Sequence, residues 1–224
     1  MIALDRPWLS FDLGSEMTVL SWSVNRPGYV RARRILWREI RNADLPPDLD
    51  VRAWLVRELD ARGAADAPCM LTSRRLDAHV SRSARAGAVE ARAVATVGLS
   101  NAERVGTRMD RAGRDWDRDL AAHFGTINLA VRLDHPLSPT GMLEALSIAA
   151  QARTAAVLEA GLRLPVGPAT GTGTDCIALA APAGADDYAG LHTDCGVALG
   201  RAAFDAVLRG ARDWLATVGR ISDG

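Results

Sequence analysis

The spacing of apolar residues alternates along the chain between a period of two and a period near 3.6, and each switch marks a predicted element. Near the start, "WLSFDL" and "MTVLSWSV" alternate apolar and polar positions as strands do, with "LGSE" between them reading as a turn. "PGYVRARRILWREI" predicts a further strand, with Val30, Ile35 and Trp37 apolar among arginines. The prolines of "NADLPPDLD" exclude regular structure, and "VRAWLVRELDARG" then predicts a helix. Asp50 is its N-cap, Trp54, Leu55 and Leu59 share one side, and Gly63 follows its end. "CMLTSRRL", "HVSRSARAG" and "AVEARAVATVGL" return to alternation between small or apolar residues and arginine, which predicts a sheet with one solvated face. "SNAERVGTRMDRAGRDWDRDLAAH" is dense in charge and glycine and reads as a surface excursion, a lid or partner-binding loop. "GTINLAVRLDHPL" is one more strand.

Two long helices follow. Ser138 as N-cap and Pro139 at the first helical position open the first, which runs to Glu159 or Ala160 before Gly161. On a helical wheel Met142, Leu143, Leu146, Ala150 and Val157 fall on one arc, with Glu144, Gln151 and Glu159 opposite. The second starts after "LHTDCG" and carries Val197, Gly200, Ala203, Phe204, Val207, Leu208, Ala211, Trp214, Leu215 and Val218 at helical spacing. Gly196 and Gly200 share a side of it, where another backbone can come close. Between the helices "CIALAAPAG" is an apolar strand. The sum is an α+β fold: a mixed or mainly antiparallel sheet of about seven or more strands, one shorter N-terminal helix and two long C-terminal helices. No linker interrupts residues 1–224, which read as a single domain.

Composition narrows the chemistry. Formal net charge is zero, so no basic field points to nucleic acid or an anionic membrane. All 27 basic residues are arginine, which removes Schiff-base and nucleophilic lysines. Three separated cysteines, Cys69, Cys176 and Cys195, suggest buried thiols in a reducing compartment. With no signal-peptide pattern at the start and no apolar run of membrane-spanning length, the cytoplasm is the expected location.

The segment "GPATGTGTDCIALA" (167–180) raises the sharpest question. A phosphate loop of the Walker type needs a lysine, and a dinucleotide fingerprint needs glycine where Cys176 stands, so both fail. An extended backbone sends Thr170, Thr172 and Thr174 to one side and leaves Gly171 and Gly173 bare on the other. That pattern fits either a ligand lying flat on the chain or a strand packed tightly on a neighbour. Asp175 follows directly. His192 precedes a helix start, where it is either a base beside an anion-favouring end or a plain surface histidine; Thr193 or Asp194 caps that helix. Arg153 lies within an apolar arc and must be paired, face a cavity or reach the arc's edge. "GTIN" offers Thr126 and Asn128 as donors at a strand start. His79, His123 and His135 have no metal-ligand spacing, and no serine-hydrolase elbow is present.

Taken in order, "ARAVATVGLSNAERVG", "GTINLAV", "LSPTGMLEALSIAAQARTAAVLEAG", "ATGTGTD" and "LHTDCGVALGRAAFDAV" make the chain similar to the adenosylcobinamide amidohydrolase family of corrinoid salvage, over about residues 25–215. The resemblance implies an enzyme that hydrolyses the amide between the corrin propionyl side chain and the aminopropanol arm, on adenosylcobinamide and in some members on pseudocobalamin-type substrates. It implies a corrinoid small-molecule partner, cobalt carried by that substrate and no cofactor of the protein's own; a homodimer is compatible with it. On this reading His192 or Asp175 transfers protons, with Asn128 and Thr174 as hydrogen-bond donors. Thr126, Thr170, Gly171, Thr172, Gly173 and Asn101 contact substrate, and Arg153 holds an anionic group. Three positions depart from the family pattern: Gln151 and Arg153 stand where Glu and Lys are usual, and Leu191 stands where glycine often precedes the histidine. A non-catalytic corrinoid binder and a hydrolase of a different amide remain the alternative readings.

Overall fold

The computed structural model describes residues 1–41, 44, 46, 48–107, 109 and 125–217. Its strands are β1 (Ile2–Asp5), β2 (Trp8–Ser21), β3 (Gly28–Glu39), β4 (Cys69–Thr72), β5 (Val80–Ala86), β6 (Val89–Val97), β7 (Ala102–Glu103), β8 (Ile127–Leu133), β9 (Arg163–Leu164), β10 (Gly167–Pro168), β11 (Gly171–Thr172) and β12 (Cys176–Ala181). The helices are α1 (Val51–Ala61), α2 (Pro139–Ala160) and α3 (Asp194–Thr217). An eight-stranded sheet in the order β4-β3-β2-β12-β8-β6-β5, with β1 beside β2, forms the centre. Its pairs are antiparallel except β3–β4 and β8–β12. The architecture is α+β.

Both faces of the sheet are covered. Toward α2 and α3 it presents Ala95 and Val97, Ile127 and Leu129, Ile177 and Leu179. Val94, Ala130, Cys176 and Ala178 point the other way, into a second cluster with Phe11, Met17, Ile35 and Trp37. Burial on both sides explains why β12 reads "CIALAA" with no polar alternation. A third cluster joins α1 to the sheet's edge through Leu55, Leu59, Leu36 and Cys69. Helix contacts are built from small residues. Ala145, Ala149 and Ala152 of α2 and Ala198, Ala202 and Ala206 of α3 are all buried, which lets the two helices lie close.

Local signals place the ends well. The Asp50 side chain accepts from Ala53 N at 2.9 Å and caps α1. Ser138 caps α2 through Gly141 N at 3.1 Å, and Gly161 ends it in the left-handed region at φ 83°. Thr193 caps α3, accepting from Gly196 N at 3.0 Å.

Three expectations are corrected. "LGSE" is no turn: β2 runs through it as one 14-residue strand, with a register shift between Asp12 and Met17 and Gly14 at φ 82°. A glycine with positive φ serves a bulge as well as a turn. On α2 Met142 and Val157 are buried and Leu146 and Ala150 pack on the core, but Leu143 is exposed, and Ala145, Ile148, Ala149 and Ala152 complete the buried side. On α3 Val197 likewise faces out, while Gly196 does admit another backbone, that of Gly190. Val218 and residues 108 and 110–123 of the charged excursion, His123 among them, lie outside the described residues, whereas 102–103 form β7 with Ala102 buried.

The run of α2 gives the molecule two chemically distinct ends. At one, β6 finishes at Val97 while β8 and β12 begin; at the other, β8 finishes at Leu133 and α2 starts. Seven residues of β8 separate them, about 20 Å of strand.

Candidate active site

At the end where β8 and β12 begin, two backbones touch. A Cβ on Gly98 would lie 2.5 Å from Gly125 Cα, so two glycines let the chain leaving β6 cross the chain entering β8. Gly98 N donates to Thr126 O at 3.1 Å across this crossing. Residues 101–103 are held beside Thr126 as a result, and Ala102–Glu103 pairs with Gly171–Thr172. Three segments distant in sequence thus converge: 98–103, 125–128 and 170–175.

Their meeting point is the carboxylate of Asp175, whose side chain is 7% exposed. It accepts from Thr172 N at 3.1 Å, from Ile127 N at 3.3 Å and from the Thr172 hydroxyl. The guanidinium of Arg153 on α2 pairs with it directly. Burial pulls the Arg153 pKa below its ordinary value, but a guanidinium keeps its proton in proteins, and the cation holds the carboxylate in its ionised form. Arg153 Nε is buried without a hydrogen-bond partner.

From this ion pair a row of hydroxyls leads outward. Thr172 Oγ1 lies 3.2 Å from Thr126 Oγ1, and Thr174 Oγ1 donates to Thr126 Oγ1 at 3.1 Å. Asn101 Nδ2 donates to Thr174 Oγ1 at 3.2 Å. The proton positions follow from counting donors. An ionised carboxylate can only accept, so the single proton of Thr172 points at Asp175; Thr126 must then donate to Thr172, as Thr174 donates to Thr126. Thr126 is buried and Thr174 is exposed. The row therefore runs from solvent to the ion pair with every proton directed inward.

The other expected contacts divide. Gly171 is not a bare bed for a ligand: Arg153 and Asp175 fill the space its side chain would take, and its strand is paired with β7. Gly173 is exposed, but the Asn101 side chain stands 3.3 Å from where its Cβ would be, and its N–H donates to Asn101 O at 3.0 Å. Thr170 turns away from the row: its hydroxyl accepts from Val105 N at 2.7 Å and its N–H donates to Glu103 O at 2.8 Å. The period of two fails because the chain turns after Thr172, where Asp175 captures the Thr172 N–H. Asn128 is 1% exposed and donates to Leu71 O at 2.7 Å, tying β8 to β4 rather than joining the row.

His192 lies at the other end of the sheet from Asp175. It is exposed and lies two residues before Asp194, whose carboxylate packs against Gly87 in the β5–β6 turn. That turn adjoins the Leu133 end of β8, so the imidazole and Asp175 are separated by the length of the strand. Gln151 is exposed, while Ala152 and Arg153 turn inward. Among the described residues no three His, Cys, Asp or Glu side chains assemble as metal ligands, and no helix is long and apolar enough to cross a membrane.

Trp22 was not foreseen. Its indole N–H donates to the backbone carbonyl of Asp175 at 2.6 Å, although the ring is 46% exposed. Six tryptophans and no spacing rule gave the sequence no means of choosing it.

Comparison with protein families places the chain among amidohydrolases. Residues 2–218 match the adenosylcobinamide amidohydrolase family, and the chain belongs to that family, whose substrate is a corrinoid. A search of curated proteins finds no match. One similar solved structure is a Burkholderia sp. beta-aminopeptidase, 15% identical, covering 93% of this chain and 78% of that one with a TM-score of 0.45. A likeness that weak has no bearing on the chemistry of this chain.

Proposed function

We propose that the chain hydrolyses the amide joining the corrin propionyl side chain to the aminopropanol arm of adenosylcobinamide, releasing adenosylcobyric acid and 1-amino-2-propanol for corrinoid salvage. Family membership supports the substrate, and one structural observation supports the site: the inward-directed hydroxyls of Thr174, Thr126 and Thr172, ending on the Asp175–Arg153 pair.

Amide cleavage needs a nucleophile, a path for its proton and a proton for the leaving amine. Thr174 Oγ1 attacks the carbonyl carbon as its proton shifts to Thr126, that of Thr126 to Thr172, and that of Thr172 to Asp175. Collapse of the tetrahedral intermediate breaks the C–N bond. Thr126 gives the proton it took from Thr174 to the departing nitrogen while Asp175 reprotonates Thr172 and Thr172 reprotonates Thr126, leaving the acyl group as an ester on Thr174. Water then hydrolyses the ester by the same route and restores the hydroxyl. Asp175 starts as an ionised acceptor because Arg153 faces it, and Asn101 orients the attacking oxygen. The route uses hydroxyls, a carboxylate and a guanidinium, and the cobalt belongs to the substrate.

The test is incubation of the purified protein with adenosylcobinamide and mass spectrometry of the products. Adenosylcobyric acid and 1-amino-2-propanol in equal amounts support the reading. A bound but unchanged corrinoid marks a binding protein, and absence of any interaction marks a different amide as substrate.

A further inference from the structure

We propose that Trp22 is the surface on which the substrate's macrocycle rests, and so sets the enzyme's preference for corrinoid amides over small ones; this rests on the hydrolase reading above. Three features of Trp22 carry the inference. Its ring is 46% exposed, whereas Trp8, Trp37 and Trp214 are buried in the core clusters. The ring is also fixed, because its N–H is held 2.6 Å from the Asp175 carbonyl across 153 residues of sequence. Finally, that anchor is the backbone of the residue whose side chain ends the hydroxyl row.

Geometry requires an apolar surface near this place. In the proposed substrate the scissile carbonyl carbon stands three bonds from the macrocycle, on the order of 4 Å at ordinary bond lengths. Whatever carries the ring must therefore lie within a residue or two of the attacking oxygen. Thr174 is the neighbour of Asp175, and Trp22 is tied to Asp175. An indole held by its N–H offers a broad, polarisable face while its polar atom is already satisfied, as a flat conjugated ligand requires. The same tie means that the indole has two separable roles: contact with the ring through its face, and support of Asp175 through its N–H.

Variants separate them. Trp22→Ala removes both, Trp22→Leu keeps bulk without the aromatic face, and Trp22→Phe keeps a face without the N–H. Steady-state kinetics on adenosylcobinamide are read beside equilibrium dialysis of the corrinoid, followed by its visible absorbance. Trp22→Ala and Trp22→Leu are expected to raise both KM and Kd about tenfold, with any loss of kcat no greater than in Trp22→Phe, which lacks the same N–H. Trp22→Phe stays within about threefold of the parent in KM. Unchanged KM and Kd in both Trp22→Ala and Trp22→Leu overturn the inference. So does a kcat loss shared by all three variants at constant KM, which assigns Trp22 to support of Asp175 alone. A parent protein that neither binds nor hydrolyses adenosylcobinamide defeats the hydrolase reading itself; one that does both, with KM indifferent to Trp22, defeats only the present inference.

Discussion

Arg153 reaches Asp175 through the space left by the missing side chain of Gly171. The ion pair, the glycine and the first of the three stacked hydroxyls are one unit. Gly171 has no positive φ, so its role is room, not backbone freedom.

Gly171→Ala tests that statement. A methyl group there collides with the guanidinium and must push it off the carboxylate. Separating a mostly buried pair costs about 3 kcal/mol, so the denaturation midpoint should fall accordingly and turnover with it. A variant as stable and active as the parent would show that the pair does not depend on the glycine.

Asp175→Asn keeps the shape of the side chain but leaves Arg153 facing a neutral amide. The Thr172 proton then loses its ionised acceptor. Turnover should drop at least about 100-fold, with corrinoid Kd within about threefold. Equal losses in Kd and kcat would assign Asp175 to binding.

His192→Ala should change neither kcat nor KM by more than about twofold. The imidazole is exposed at the far end of β8 from the hydroxyl row, and exposed substitutions outside a site are near neutral. A large kcat loss with normal folding would move the active end of the molecule.

The thiols give a pH dependence of stability. Burial pushes Cys176 up to about 12 and Cys195 up to about 11, against about 8.5 for an exposed thiol. The native state therefore keeps protons that the unfolded chain loses. Stability from these groups is complete below about pH 8.5 and falls as pH rises toward 11 and 12. Native protein should also resist alkylation at pH 8 until denaturant is added. Rapid labelling of the folded protein would contradict the burial of all three cysteines.

Much of the fold was legible because caps are local. Ser138, Pro139 and Gly161 announce α2 within a few residues of its ends, and Asp50 does so for α1. The helical wheel also set Arg153 apart as a residue that must be paired, face a cavity or reach the arc's edge. Its partner could not be read, since Asp175 arrives through space from the start of β12, 22 residues on. His192 could not be placed for a related reason: standing before a helix says nothing about which end of the sheet that helix starts from. In the threonine segment the alternation ends where the chain turns after Thr172; Thr172 and Thr174 come together through the Thr126 hydroxyl, and Thr170 is drawn off by Val105 and Glu103. The crossing of Gly98 and Gly125, which brings Asn101 to Thr174, has no signature in either strand pattern.

Thr174 as the attacking group is the centre of the proposed mechanism. Its most direct test is turnover of adenosylcobinamide by Thr174→Ala, with corrinoid Kd measured on the same preparation. The predicted result is a kcat lower by about three orders of magnitude at nearly unchanged Kd, and partial recovery in Thr174→Ser. A Thr174→Ala protein that hydrolyses the substrate within about threefold of the parent rate would contradict it.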